Sequence, residues 1–332
     1  MKRWQLILAG IIFVVAVFLP LVIRTDYTLQ VLFRVFLFAA LGLAWNLVGG
    51  YTGQLSLGHA AYFGVGAYGL ALFAKLGVNP WVALAIAVIL ALVSAAVIGS
   101  VSFRLRGPYF ALCTIAFAEV VRLIVKNLPN VTGGDVGVQV PLLFPTSTIR
   151  SFYYAALGLT MIAFGIIIWT ERSRFGYYLM AIREDEETAL SVGINTPRYK
   201  LLALLISAAI TAVGGALYAS LFLYIVPDQV IAMEISTEIA IVAMLGGAGT
   251  ALGPIVGSGI LETAAELFKN IFQEAHLLIY GALVILVVLF LPEGIVGTLS
   301  RKLHFFGKAP TAPLTASPLP GAKEEAERVS AE

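Results

Sequence analysis

One cysteine in 332 residues, Cys113, leaves no intrachain disulfide and gives no basis for a cysteine metal cluster. Histidine is nearly as scarce: His59, His276 and His304 lie far apart, and no HExxH pair sets two of them on one helix face. Charge is thin as well. Only 12% of residues are Asp, Glu, Lys or Arg, against about 25% in an ordinary soluble domain. The net charge of +2 offers no electrostatic footprint for nucleic acid. No GxxxxGK[ST] run is present: the Gly307-Lys308 pair is followed by Ala309 and lacks the upstream glycine. The chain therefore has no loop of that kind to cradle nucleotide phosphates. A membrane enzyme needs polar groups that converge, and none is evident, so the sequence reads as a transport body and not an enzyme.

What fills the chain is apolar sequence, 60% hydrophobic with mean hydropathy +0.94. Crossing a hydrocarbon core of roughly 30 Å takes about 20 helical residues. The apolar runs are continuous and do not alternate in segments of about ten, which excludes a β-barrel. The expected fold is an all-α polytopic bundle with ten spans at 6–23, 27–48, 54–74, 81–103, 109–125, 152–170, 201–226, 234–245, 251–270 and 277–291. The third is glycine-rich and open to a break, and the eighth is short enough to be partly re-entrant. The first, behind Lys2 and Arg3, has too long an apolar run for a signal peptide and reads as a retained span.

Charge orients this arrangement. With the N-terminus cytoplasmic, ten spans return the C-terminus to the cytoplasm. Twelve Lys and Arg then fall inside (residues 2, 3, 104, 106, 172, 174, 183, 198, 200, 301, 302 and 308) and five outside (24, 75, 126, 150 and 269). That is the positive-inside bias. The domain reading is a permease-like membrane region over 1–308, with a cytoplasmic insert at 171–200, an outward loop at 127–150 and a disordered cytoplasmic tail at 309–332. The outward loop, NLPNVTGGDVGVQVPLLFPTSTIR, predicts an irregular cap. Spans two to five and seven to ten are placed to form topologically inverted repeats.

The insert is the most distinctive local feature. Residues 175–200 read FGYYLMAIREDEETALSVGINTPRYK. Good helix formers run over 181–192, and Glu184, Asp185, Glu186 and Glu187 crowd its early turns, where the helix dipole favours negative charge. Ala181, Ile182, Ala189 and Val192 offer apolar contacts, Gly193 suits a left-handed cap, and Pro197 blocks continuation. Such an element suits docking onto a soluble partner; the competing reading is a solvated loop.

Two glycine clusters follow. Residues 45–69, WNLVGGYTGQLSLGHAAYFGVGAYG, hold seven glycines from Gly49 to Gly69. Asn46, Gln54, Ser56 and His59 are its candidate pathway or gate groups; close packing with their polar atoms satisfied by neighbouring helices is the alternative. In the second cluster Gly249, Gly253 and Gly257 are spaced as one stripe of a helix, for packing within the chain or for dimerisation. Among the acidic residues of the spans, Glu119 has Arg122 one turn on, and Glu266 has Lys269. Glu238 and Glu262 have no local partner; they are proton carriers or lie near a membrane surface. Arg34 is placed to snorkel.

These pieces, with RGPYFALCTIAFAEVVRLI at 106–124, VTGGDVGV at 131–138 and GGAGTALGPIVG at 246–257, resemble the LivM-type permeases of branched-chain amino-acid ABC importers over about residues 41–296. The resemblance implies an inverted-repeat importer core in a prokaryotic cytoplasmic (inner) membrane, importing leucine, isoleucine and valine. It implies a second, LivH-like permease, two cytoplasmic ATPases and an extracytoplasmic solute-binding protein as partners. It implies no cofactor on this chain, with ATP and Mg on the ATPases. The importer coupling pattern of EAA, three residues and Gly is met by Glu187, Ala189 and Gly193, with Thr188 departing from it. Arg183, Glu184, Asp185, Glu187, Ala189 and Gly193 are thereby the expected coupling residues. Related permeases carry urea and short-chain amides, so these solutes stand as alternatives. A proton-coupled carrier using Glu238 or Glu262 is a third possibility.

Overall fold

Helix α2 (Asp26–Val48) is the centre of the bundle, with every residue from Phe36 to Val48 buried. In the computed structural model the described residues are 3–272, except 24, 106 and 145–147, with 281, 294–296 and 298 beyond; side chains are described from 10 to 269 and at those later positions. The expected tenth span at 277–291 lies outside the described residues except for Gly281, and so do Arg106, Arg301, Lys302, Lys308 and the 309–332 tail.

The remaining elements are helical apart from one short strand pair and one 3₁₀ turn. They are α1 (Arg3–Val22), α3 (His59–Lys75), α4 (Pro80–Ser102), α5 (Pro108–Lys126), α6 (Pro129–Thr132), the 3₁₀ turn Gly134–Val136, α7 (Ile149–Arg172), α8 (Arg174–Glu184), α9 (Glu186–Ser191), α10 (Thr196–Phe222), α11 (Pro227–Val230), α12 (Met233–Gly246) and α13 (Gly253–Phe272). Six described stretches are long and apolar enough to cross a membrane: Asp26–Val48, Pro80–Ser102, Pro108–Lys126, Ile149–Arg172, Thr196–Phe222 and Pro227–Gly246.

The other expected spans differ for identifiable reasons. The third starts at His59 and not at 54, because residues 53–58 are not helical, which leaves α3 with 17 residues. The ninth, α13, carries Glu262, Glu266 and Lys269 on 20 residues. Of the first, Gly10–Val22 forms a shorter apolar helix. The seventh begins earlier than expected: Asn195 caps α10 by accepting from Arg198 N at 3.2 Å, and Pro197 sits in the first turn.

Packing follows residue size. Helix α4 is capped by Asn79, which accepts from Trp81 N at 2.9 Å. Its Ala83, Ala87, Ala91, Ala95 and Gly99 recur every four residues and are buried, so one narrow face meets α3 and α10. The opposite face shows Ile89, Val93, Val97 and Val101, the apolar surface a lipid-facing helix presents. Helices α3 and α10 approach almost backbone to backbone. A Cβ on Gly66 would overlap the Ala212 carbonyl, and one on Gly215 the Phe63 carbonyl.

Residues 127–143 hold more regular structure than an irregular cap. Strand β1 (Val138–Gln139) pairs antiparallel with β2 (Tyr224–Ile225), Val138 opposite Ile225. Ser220 Oγ donates to the Pro141 carbonyl at 3.0 Å and accepts from Leu143 N at 2.7 Å. The loop is thus stitched to the end of α10, where Leu223 turns the chain with φ +62°. At the same end Arg122 binds Glu119, as expected, and also Asp228 at 2.6 Å, while Lys126 binds Asp228 at 2.8 Å and Asp135 at 3.2 Å.

Candidate coupling and pathway sites

The insert is two helices and not one. Ser173 caps α8, accepting from Gly176 N at 3.4 Å. The continuous helix expected over 181–192 breaks at Asp185, whose backbone is extended at φ −159°. There its carboxylate accepts from Thr188 N at 2.8 Å and starts α9 afresh. A short acidic side chain competes for backbone N–H in this way and favours a cap over a helix interior. Those donors hold the Asp185 carboxyl below its ordinary range. Gly193, at φ +87°, ends α9, and Ile194 N donates back to the Ala189 carbonyl at 3.0 Å.

Burial sorts the insert into an anchor and a free face. Leu179, Ile182 and Ala189 are buried within the chain. Ile182 and Ala189, expected as partner contacts, are therefore part of the anchor. Lys200, 1% exposed, reaches Glu186 Oε2 at 2.6 Å, and Thr196 Oγ1 donates to the other oxygen of Glu186 at 3.1 Å. On the opposite side Tyr177, Met180, Leu190 and Val192 are exposed, together with Glu184, Asp185, Glu187 and Gly193. Tyr177, Met180 and Leu190 escaped the sequence reading. Their signal was available once Leu179 and Ile182 marked the inward side of α8, which sets Tyr177 and Met180 on another.

Arg183 ties this insert to the bundle. Its Nη1 donates to the Gly50 carbonyl at 2.7 Å, just past the end of α2, where the helix dipole presents partial negative charge. Asn46, fully buried, then bridges to the α12–α13 connection: Oδ1 accepts from Gly249 N at 2.7 Å, and Nδ2 donates to the Thr250 carbonyl at 2.9 Å. Gly249 lies in that connection at φ +80°, so it is not on the helical stripe expected for it; a Cβ there would overlap the Arg183 guanidinium. Only Gly253 and Gly257 belong to α13. A Cβ on Gly257 would overlap the Val242 carbonyl, which makes the stripe a packing contact within the chain. A third tie joins Tyr51 Oη to Glu171 Oε1 at 2.7 Å. Burial, and then the Glu171 carboxylate, push the Tyr51 hydroxyl well above its ordinary pKa. Beside these ties is a cavity of about 300 Å³ lined by Tyr51, Glu171, Met180, Thr250 and Leu252.

Of the candidate gate residues, Gln54 and Ser56 fall in the unwound segment before α3, His59 opens α3, and Asn46 lies near the end of α2. Ser56 and His59 are buried, and Gln54 is half-buried. His59 Nε2 lies 2.8 Å from Ser207 Oγ, and Nδ1 lies 3.3 Å from Ser56 Oγ. Trp45 Nε1 donates to the Ser56 carbonyl at 2.7 Å, Leu57 N to Thr114 Oγ1 at 3.1 Å, and Ala60 N to Ser236 Oγ at 2.8 Å. Side chains from α2 and α5 thus satisfy backbone groups of the non-helical segment, one from α12 satisfies the first turn of α3, and α10 holds the His59 ring, as irregular chain at membrane depth requires. Thr114, Ser207 and Ser236 looked like ordinary span residues in the sequence.

A family model described as branched-chain amino acid transport system / permease component matches residues 27–288. The chain is 31% identical over 288 residues to the high-affinity branched-chain amino acid transport system permease protein LivM of Escherichia coli K12, covering 78% of this chain and 67% of that one. It is 28% identical over 243 residues to the probable LivM of Methanocaldococcus jannaschii, covering 66% and 70%. Similarity extends to the permease protein LivH of Escherichia coli K12, 27% identical over 284 residues, covering 78% and 91%. No solved structure shows a significant match.

Proposed function

The chain belongs to the branched-chain amino acid transport permease family, and from that premise we propose that it is the LivM-type subunit of an ATP-driven, binding-protein-dependent importer of leucine, isoleucine and valine. The observation that carries this reading is the insert. An apolar face of Tyr177, Met180, Leu190 and Val192 is held on an element whose other side is bolted to the bundle by Arg183 and Lys200. A surface built this way can take a load from a partner and pass it on.

In the proposed assembly a LivH-like permease stands beside this chain, two ATPases bind the inserts with ATP and Mg on their own residues, and a solute-binding protein delivers substrate at the 127–150 side. The chain crosses the inner membrane ten times with both termini cytoplasmic, the count that reconciles the six long helices with α1, α3, α13 and the 277–291 run. Nucleotide binding moves α8 and α9. Glu184, Asp185 and Glu187 make the polar contacts with the ATPase, and Ala189 and Gly193 fix the shape of α9. The Arg183–Gly50 and Asn46–Gly249 bonds carry the motion to α2, α12 and α13. Asn46, Gln54, Ser56 and His59 act on the pathway as the hinge of a gate, through the unwound segment that they hold. Alternating access follows from rocking one half against the other.

The test is purification from the native host in mild detergent, with mass spectrometry of every accompanying protein, then uptake in sealed vesicles. Two ATPases, a second permease and ATP-dependent leucine uptake are the expected result. Urea uptake without leucine uptake would reassign the substrate. A solitary chain moving solute down a proton gradient would overturn the reading.

A further inference from the structure

The span charges without local partners meet inside the bundle. Ser258, Glu262 and Glu266 recur every four residues on α13 and so share one face. Ser258 Oγ donates to the Val35 carbonyl at 2.5 Å, and the Tyr27 hydroxyl donates to Glu266, so this face is turned to α2. Between these bonds Glu262, 3% exposed, meets Arg34 Nη2 at 3.3 Å. Arg34 does not simply snorkel, therefore, and Glu262 has a partner on α2, the helix that α13 packs against. Glu238 of α12 stands beside the pair. Arg34 Nε and Glu262 Oε1 are both buried without a hydrogen-bond partner among the described residues.

A charge at membrane depth is costly and is kept where it faces a partner or a wet cavity. Arg34 lies eight residues into α2, about 12 Å of helical rise from its start. Its side chain remains 35% exposed and Glu238 is half-buried, so the cluster opens on one side of this chain. Hydrocarbon cannot satisfy that opening; water or a second subunit can. A structural ion pair alone would need one acid and one base with their hydrogen-bonding atoms used. Here a guanidinium meets one carboxyl group with a second beside it, and one donor and one acceptor are left over among the described residues.

We infer that Arg34, Glu238 and Glu262 form a subsite of the translocation path that receives the α-carboxylate and α-ammonium of a free amino acid. The guanidinium takes the carboxylate, with its spare Nε in a two-point contact, and the acidic pair takes the ammonium. The subsite rests on the importer reading above, since that reading supplies an amino acid as the solute. It also places substrate contact on α2, α12 and α13, away from the His59 network, whose polar atoms are already engaged.

The experiment uses the importer purified with its partners and reconstituted into liposomes, reading labelled leucine moved per ATP hydrolysed. The double exchange Arg34→Glu with Glu262→Arg keeps an ion pair and reverses its polarity. The subsite predicts a complex recovered with all partners and a drop of at least tenfold in leucine per ATP. A ratio within twofold of wild type would make the pair a structural tie and overturn the subsite. If the exchanged chain does not assemble, Glu238→Gln decides by the same two outcomes, because Glu238 is only half-buried and the Arg34–Glu262 pair stays intact in that variant. Wild-type liposomes that move urea but no leucine would sink the importer's substrate assignment and the subsite together. Leucine uptake by the wild-type liposomes distinguishes that failure from a failure of the subsite alone.

Discussion

Arg183 shows how much depends on single side chains at the 171–200 insert. Its bond to the Gly50 carbonyl holds α8 to the end of α2, and the space for its guanidinium exists because position 249 lacks a Cβ. Arg183→Ala is expected to leave the importer assembled and to lower ATP-driven uptake at least tenfold, read as solute moved per ATP. Lys200 acts on stability. Breaking a buried ion pair costs roughly 3–5 kcal/mol, and less here because Glu186 keeps 20% of its side chain exposed. Lys200→Met should therefore lower the melting temperature in detergent, and Lys200→Met with Glu186→Leu should recover much of the loss. Asp185 gives a pH signature. Its folded pKa is depressed, so its capping contribution is complete above the ordinary value of 3.8 and disappears as pH falls through the lower folded value. Hydrogen exchange over 186–191 should show protection falling in that acid window, and Asp185→Asn, which keeps a capping side chain, should flatten the dependence.

At the scale of elements, α8 and α9 divide into an anchor and a contact face. Leu190→Arg and Val192→Asp alter exposed positions and should change stability by no more than about 0.5 kcal/mol. Retention of the ATPase subunits through purification should nevertheless fall sharply. Full retention of both would remove this face from the docking surface. The end of the insert's helix was legible from Gly193 and Pro197, whereas α10 starts behind Asn195, several residues earlier than expected. The break at Asp185 was not legible, because a helix-favouring acidic run and a new N-cap use the same residues, and only the backbone angle separates them. The stripe read for Gly249, Gly253 and Gly257 failed at Gly249 for a related reason. Spacing is the same in a turn as in a helix, and the positive φ belongs to the fold. The partners of Glu262 and His59 were also hidden. Arg34 and Ser207 are distant in the chain and meet only when α2 packs on α13 and α10 packs on α3.

At the scale of the whole molecule, scarcity of charge and continuous apolar runs made the polytopic class plain from composition. The number of crossings is less direct. Among the described residues, six stretches satisfy length and polarity by themselves. Helix α3 is shortened by the unwound 53–58 segment, and α13 is made polar by the residues that meet α2. Both departures from an ideal span occur where the bundle holds polar groups in its interior, at the His59 network and at the Arg34–Glu262 pair. A body with these two interior features and one bolted insert can be driven from outside itself. The most direct measurement of that claim places a cysteine at Val192 in a Cys113→Ser background and crosslinks the purified complex through the single thiol during turnover. The account predicts a crosslinked product containing this chain and a nucleotide-hydrolysing subunit, with a yield that changes between ATP-bound and nucleotide-free states. An importer that retains full uptake while position 192 meets only solvent would contradict it.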